Sequence, residues 1–219
     1  VRNDICYQKL PVTLIGIGSG VTYAPQGVTH YSVEDIALAR TLPNLTVCSP
    51  ADPQEAKLCV QFAVSSRKPV YIRVAKKGEA CIHTKNPKTI EAPIVLQEGE
   101  ETAVLFHGSI SDAVVEAATA LPGIKFISIP ILQPLNTGSL LHELKNVRQL
   151  ITVEEHYVVG GLGTIIADWI VAQQLPFRLT KLGIAHAFIH EIKDREGMRK
   201  FFGIDAQSIM KAVRKYAER

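Results

Sequence analysis

Seven apolar runs rich in β-branched residues recur along this chain, at Val12–Ile17, Leu45–Cys48, Val70–Val74, Thr102–Phe106, Ile124–Ile129, Leu150–Val153 and Arg178–Leu182. Segments with helical periodicity separate most of them. Continuous apolar strands that alternate with helices are buried on both faces, which is the arrangement of parallel sheets in an α/β fold. At 219 residues, 47% hydrophobic and 21% charged, the chain can bury the core that such a fold needs.

Helix boundaries are written in the same sequence. Ser32-Val33-Glu34-Asp35 has the spacing of a capping box ahead of Ile36, Ala37 and Leu38. Asp52-Pro53 puts an N-cap residue before a proline at the first helical position, leading into Ala56, Val60, Ala63 and Val64. Further helices are expected at Ala113–Leu121, Thr164–Leu175 and Ala206–Glu218. The periodicity lapses through Lys76, Lys77, Gly78, Lys85, Asn86, Pro87 and Lys88, so residues 77–92 read as a linker. Residues 93–219 hold a complete βαβ series, whereas 1–76 supply only about three strands and two helices, too few for an independent sheet. With Val1 opening inside an element, this first piece reads as part of a larger domain.

Several function classes are set aside by composition and spacing. A net charge of +3 with acids and bases interspersed gives no basic stripe for a nucleic acid. No apolar run approaches the ~20 residues that cross a bilayer, and no export segment is evident, so a cytoplasmic location is expected. Cys6, Cys48, Cys59 and Cys81 lack metal-site spacing and read as small, reduced, buried or half-buried side chains. His186 and His190 stand four apart without a helix signal, which does not make a zinc pair.

Two glycine clusters follow strands. Gly16-Ile17-Gly18-Ser19-Gly20 lacks the third glycine, the directly following helix and the later acid of a dinucleotide-binding turn, and reads as a permissive loop. Gly160-Gly161-Leu162-Gly163 joins a strand to a helix and reads as close packing between them rather than a phosphate cradle. Glu154-Glu155-His156 ends a strand, where neighbours point apart, so adjacency builds no charge relay.

Two residues have the address of a ligand site. His30 stands ahead of an expected helix start, after a Gly/Pro loop from a strand's C-terminal end, where open α/β sheets bind ligands and a histidine can add a donor to a phosphate. A loop histidine that merely packs is the competing reading. Arg73 lies near the end of Val70–Val74, from which its guanidinium can reach the same edge and hold a phosphate bidentately. The alternative is an arginine that snorkels to solvent.

The order of motifs then adds a resemblance. Gly27-Val28-Thr29-His30, Val33-Glu34-Asp35-Ile36-Ala37, Leu42-Pro43-Asn44-Leu45 and Pro50-Ala51-Asp52-Pro53-Gln54-Glu55 resemble the Gly-Pro-Thr-His, Glu-Asp, Leu-Pro-Asn and Pro-Ala-Asp pattern of transketolases. Lys68-Pro69-Val70-Tyr71-Ile72-Arg73 looks like that family's strand ending in a substrate arginine. Val153-Glu154-Glu155-His156 with Gly160-Gly161-Leu162-Gly163 looks like the hallmark of its C-terminal domain.

The resemblance implies part of a parallel-sheet pyrimidine-binding domain of the thiamine-diphosphate fold in 1–76, and a complete three-layer α/β/α C-terminal domain in 93–219. It implies an enzyme that uses thiamine diphosphate and Mg2+ to pass a two-carbon ketol unit between sugar phosphates, as a homodimer or with a partner N-terminal subunit. His30 and Arg73 match positions that bind the sugar phosphate. The family has a histidine and an acid where this chain has Gly18 and Gln26, so contacts to the sugar hydroxyls, Gln26 among them, are expected to differ. The activating glutamate and the diphosphate domain belong upstream of Val1. No catalytic residue and no bound cofactor are therefore expected of this chain alone. A 1-deoxy-xylulose-5-phosphate synthase shares the fold and a similar Thr-His loop, and a non-catalytic or assembly subunit of a split transketolase is the reading from a different class.

Overall fold

The computed structural model describes residues 1–76 and 78–217. Lys77, in the expected linker, and Glu218, at the expected end of the last helix, lie outside the described residues. After a π-helical segment at Arg2–Tyr7, the first half runs β1 (Thr13–Ile17), α1 (Asp35–Arg40), β2 (Thr46–Cys48), α2 (Pro53–Ser66) and β3 (Val70–Val74). The second half runs β4 (Ile94–Gln97), β5 (Gly99–Phe106), α3 (Ser111–Ala120), β6 (Gly123–Ser128), β7 (Ile131–Gln133), α4 (Thr137–Glu143), β8 (Val147–Tyr157), α5 (Leu162–Gln173), β9 (Arg178–Ile184), α6 (Arg195–Phe202) and α7 (Ala206–Ala217).

Each of the seven apolar runs becomes a strand, and two short strands join them. The first sheet has the order β1-β3-β2-β7, with β1, β3 and β2 parallel and β7 antiparallel to β2. The second has the order β4-β6-β5-β8-β9, parallel from β6 to β9 with β4 antiparallel at its edge. The fold is therefore α/β, and each sheet carries one antiparallel edge strand. β7 comes from the second half of the chain and completes the sheet of the first.

Local signals explain α2 well. Asp52 Oδ1 accepts the Glu55 N–H at 2.8 Å, Pro53 takes the first turn, and Arg67 ends the helix in a left-handed conformation at φ 50°. The capping box expected at Ser32 does not form. Glu34 occupies the N-cap of α1 without a side-chain cap, so the helix begins two residues later than a Ser32 cap requires, and the Asp35 carboxylate turns to Arg73.

The cores bind the two halves together. Ile36 and Val47 of the first half pack in one cluster with Leu105, Ile127, Leu132 and Ile166 of the second. Val21, Ala24, Tyr31 and Val33 join a second cluster with Phe106, Ile110, Met198 and Ile209. A fully buried side chain of this kind stabilises by about 1.5–3 kcal/mol, so separating the halves would expose a large apolar area. Among the described residues no helix is long and apolar enough to cross a membrane.

Candidate substrate-binding edge

The parallel strands β1, β3 and β2 end together, and the loops that follow them form the candidate site. After β1 the chain turns through Gly18 and Ser19, whose N–H groups both donate to the Val74 carbonyl, and then makes two short 3-10 turns at Ala24–Gln26 and Val28–His30. Gln26 and His30 are exposed on these turns. The His30 ring has Nδ1 at 2.9 Å from Thr29 Oγ1 and meets the Tyr23 ring edge-on at 6.2 Å. The Lys76 ammonium lies 5.2 Å from the Tyr23 ring centroid. Lys76, Tyr23 and His30 thus make one cationic, aromatic rim.

Arg73 is placed differently from the expectation. Its side chain is 1% exposed, and Nε donates to Asp35 Oδ1 and Oδ2 at 3.1 and 2.9 Å. Nη2 donates to the carbonyls of Ser32 at 2.7 Å and Glu155 at 3.0 Å. The guanidinium therefore sits beneath the loop and braces it, instead of presenting a free fork at the edge. His30 also differs in its surroundings. It lies in a 3-10 turn, five residues before α1 begins, and the Ala37 N–H at that helix start donates to His156 Nε2 at 3.3 Å.

Sequence alone does not single out Lys76, which stands three residues past Arg73 and reads as part of the polar connection. Nor does it single out Asp35, Ser109, Arg195 and Arg199 as members of one network, because their partners are distant in sequence. The one available signal for Lys76 is its position just beyond a strand's C-terminal end, where ligands gather in open sheets.

Beneath the rim lies the junction with β8. Glu154, Glu155 and His156 point to three different sets of partners. Glu154 accepts the N–H groups of Leu162 and Gly163 at 2.7 and 2.9 Å, so a side-chain carboxylate already fills the N-terminus of α5. Gly161 packs so tightly that a Cβ there would overlap this carboxylate. Glu155 accepts from Ser109 Oγ at 2.8 Å and from Arg199 Nε at 2.6 Å. His156 Nδ1 lies 2.8 Å from the Tyr157 carbonyl, so Nδ1 carries the proton and Nε2 accepts from Ala37. Burial holds the His156 pKa below its ordinary value, consistent with this neutral form.

One further arrangement has the look of a nucleophile chain. Ser49 Oγ lies 2.9 Å from His107 Nδ1, and His107 Nε2 lies 3.5 Å from Glu154 Oε2. All three side chains are sealed from solvent and Glu154 is committed to α5, so no substrate reaches the serine. Among the described residues no three His, Cys, Asp or Glu converge to hold a metal ion. The cavity beside Lys76, lined also by Asp52, Glu79 and Ser109, measures ≈ 190 Å3. A larger one of ≈ 590 Å3 opens at the opposite ends of β2 and β3, beside Lys9, Arg40 and Lys68, away from His30.

Comparison with known proteins identifies the family. Residues 1–78 match the transketolase pyrimidine binding domain, and residues 91–209 match the transketolase C-terminal domain. The chain is 34% identical to one of the subunits of an apulose-4-phosphate transketolase of Actinobacillus succinogenes, over 96% of this chain and 69% of that protein. It is 31% identical to a 1-deoxy-D-xylulose-5-phosphate synthase of Caldanaerobacter subterraneus, over 97% of this chain but 35% of that enzyme. A solved split-gene transketolase, described as an inactive beta4 tetramer, superposes with a TM-score of 0.83 at 27% identity, over 98% of this chain and 69% of that one. A transketolase from Leishmania mexicana shares the fold, with a TM-score of 0.77 at 19% identity, over 98% of this chain and 31% of that one. The chain belongs to the transketolase family, with matches to that family's pyrimidine-binding domain in its first part and to the C-terminal domain in its second.

Proposed function

We propose that this chain is the substrate-side part of a thiamine-diphosphate-dependent enzyme that transfers a two-carbon ketol unit between sugar phosphates, working with a partner N-terminal subunit. The observation that carries this reading is the rim of His30, Tyr23 and Lys76 at the C-terminal edge of parallel strands, in a chain of the transketolase family. Two cationic or proton-donating groups flanking an aromatic face suit a phosphate carried on a small polar body. The donors on this edge are cations and amides rather than clustered carboxylates, which fits a sugar phosphate and does not fit Mg2+. The metal and the diphosphate are therefore assigned to the partner. When bound, the cofactor supplies the electron sink for carbon–carbon cleavage.

In this reading His30 and Lys76 bind the phosphate, Gln26 faces the sugar hydroxyls from the same loop, and Arg73 holds the loop from below. The names of the relatives favour a partner chain, since one is a single subunit of a transketolase and another a split-gene protein. The test is His30→Ala and Lys76→Ala in the assembled enzyme with thiamine diphosphate. Each loses a charge-assisted hydrogen bond, and KM for sugar phosphates is expected to rise about 10- to 100-fold. An unchanged KM in both variants would sink the assignment. The similarity to a 1-deoxy-D-xylulose-5-phosphate synthase favours a second reading, which product analysis decides. With pyruvate and glyceraldehyde 3-phosphate, that reaction releases CO2 and ketol transfer does not.

A further inference from the structure

The loop Val21–Ser32 carries Gln26 and His30 at its apex, yet its roots are held by the other half of the chain. At the entry, the Val21 N–H donates to Glu155 Oε2 at 3.3 Å. At the exit, Arg73 Nη2 donates both to the Ser32 carbonyl at 2.7 Å and to the Glu155 carbonyl at 3.0 Å. The two roots are also paired to each other, through Gly20 N–H to Ser32 O at 2.8 Å and Ser32 N–H to Gly20 O at 3.0 Å. One residue of β8 therefore touches the entry directly and the exit through a single guanidinium.

The contact is close enough to dictate residue type. Gly20 has φ +63°, and a Cβ there would collide with the Glu155 side chain. The carboxylate is in turn fixed from behind by Ser109 at 2.8 Å and by Arg199 Nε at 2.6 Å, with Arg195 Nε at 3.5 Å. Ser19 Oγ reaches the same network through Ser109 Oγ at 3.1 Å. A buried, multiply hydrogen-bonded carboxylate has little freedom, so it works as a fixed reference point.

We propose that Glu155 is the positioning residue of the Val21–Ser32 loop: with its carboxylate on Val21 and its main-chain carbonyl on Arg73, it transmits the placement of the C-terminal domain to Gln26 and His30 without touching substrate. That the loop's ligand is a sugar phosphate rests on the function proposed above, whereas the positioning itself does not. A loop apex displaced by about 1 Å is enough to impair binding geometry by a large factor.

The experiment is amide hydrogen exchange on the full-length protein, comparing Glu155→Gln and Ser109→Ala with Glu154→Gln, a buried carboxylate one residue earlier that serves α5. Exchange across 21–32 is expected to quicken at least about tenfold in Glu155→Gln beyond any change in the strands β5 and β6, and by less in Ser109→Ala. Glu154→Gln is expected to change the loop only in step with those strands. If Glu155→Gln does not fold, Ser109→Ala is read instead, by whether exchange across 21–32 quickens beyond any change in β5 and β6. A loop that follows the strands equally in all the folded variants overturns the proposal. In the assembled enzyme the loosened variants are expected to raise KM for sugar phosphate at least about fivefold while kcat changes less than about twofold. Looser loops with an unchanged KM would leave the positioning intact and overturn the sugar-phosphate reading.

Discussion

The Asp35 carboxylate accepts from Arg73 Nε at 2.9 Å and from the Tyr71 hydroxyl at 2.7 Å, joining the first turn of α1 to the middle of the first sheet. Both Tyr71 and Arg73 belong to β3, so one carboxylate reads two positions of the central strand. Burial opposes the charge on Asp35, but Arg73 and the Tyr71 hydroxyl outweigh it and hold the carboxyl below the usual range. The side chain that a capping box would have used is thereby turned inward, and the loop before α1 is tied to the strand that ends beside it.

Removing the arginine leaves that carboxylate, the Ser32 carbonyl and the Glu155 carbonyl without their shared donor. Arg73→Ala is expected to destabilise by about 3–5 kcal/mol, the cost of breaking a buried pair from one side. Urea denaturation measures it as a fall in midpoint with unchanged slope. A loss below about 1 kcal/mol would mean that Arg73 behaves as an exposed cation and not as the brace described.

Acid acts on the β8 junction in two steps. Burial keeps His156 neutral with a lowered pKa, so its contribution is complete above about 6.5 and is lost as pH falls below that value. Burial raises Glu154 and Glu155, but His107 for one, and Arg199 with Arg195 for the other, outweigh it and leave both carboxyls lowered. Their contribution is complete above about 4.3 and is lost as pH falls through the folded-state value. Chemical denaturation at a series of pH values should therefore show stability falling below about 6.5 and more steeply below about 4.3. His156→Gln, which can still accept from Ala37, is expected to flatten the first step alone. An unchanged profile in that variant would remove His156 from the account.

What the sequence disclosed follows from how local each signal is. Asp52 and Pro53 act on the helix that they begin, and α2 starts where they stand. The strand Val70–Val74 was legible because its apolar run is continuous. β7 was not, since three residues after Pro130 carry no period, and their pairing with Val47 and Cys48 depends on a chain segment about eighty residues away. The same non-locality governs the site. Sequence position put Arg73 and His30 at the right end of the sheet, but the direction of the arginine is set by Asp35 and Glu155 from two other elements. Gln26 and His30 remain at the exposed face, where His30 meets Thr29 and Tyr23 of its own loop.

The turn before α5 gives a sharp steric prediction. Gly161 has an ordinary negative φ of −85°, so backbone strain is not the issue, and a methyl group would overlap the Glu154 carboxylate that accepts from Leu162 and Gly163. Gly161→Ala is expected to cost about 1–3 kcal/mol, read as a fall of several degrees in Tm. Gly138→Ala is the control, since its nearest neighbour is 4.0 Å away inside α4 and the change should be neutral or slightly stabilising. Equal behaviour of the two variants would mean that Glu154 moves aside freely and does not pack rigidly against the turn.

The segment joining the two halves is pinned by a titrating histidine. His83 Nε2 lies 2.8 Å from Glu55 Oε1, both side chains are buried, and the second Glu55 oxygen accepts the Ala51 N–H at 2.7 Å. Burial pulls the His83 pKa down, but the hydrogen bond and charge of Glu55, with the charge of Asp52, outweigh it and leave the pKa raised. A raised histidine contributes fully below its unfolded value of about 6.5, and the contribution is lost as pH rises through the folded value. Asp52 Oδ2 also accepts the Ile82 N–H at 3.0 Å, a second pin that does not pass through His83. The segment is therefore expected to loosen and not to detach. Protection of the Ala80–His83 amides, corrected for intrinsic rates, should fall by up to about tenfold between pH 6 and pH 9. Glu55→Gln should abolish the pH dependence while leaving the Ile82 contact in place. Protection that is flat across this range in the unmodified protein would show that His83 is neutral throughout and that the pin is a hydrogen bond without charge.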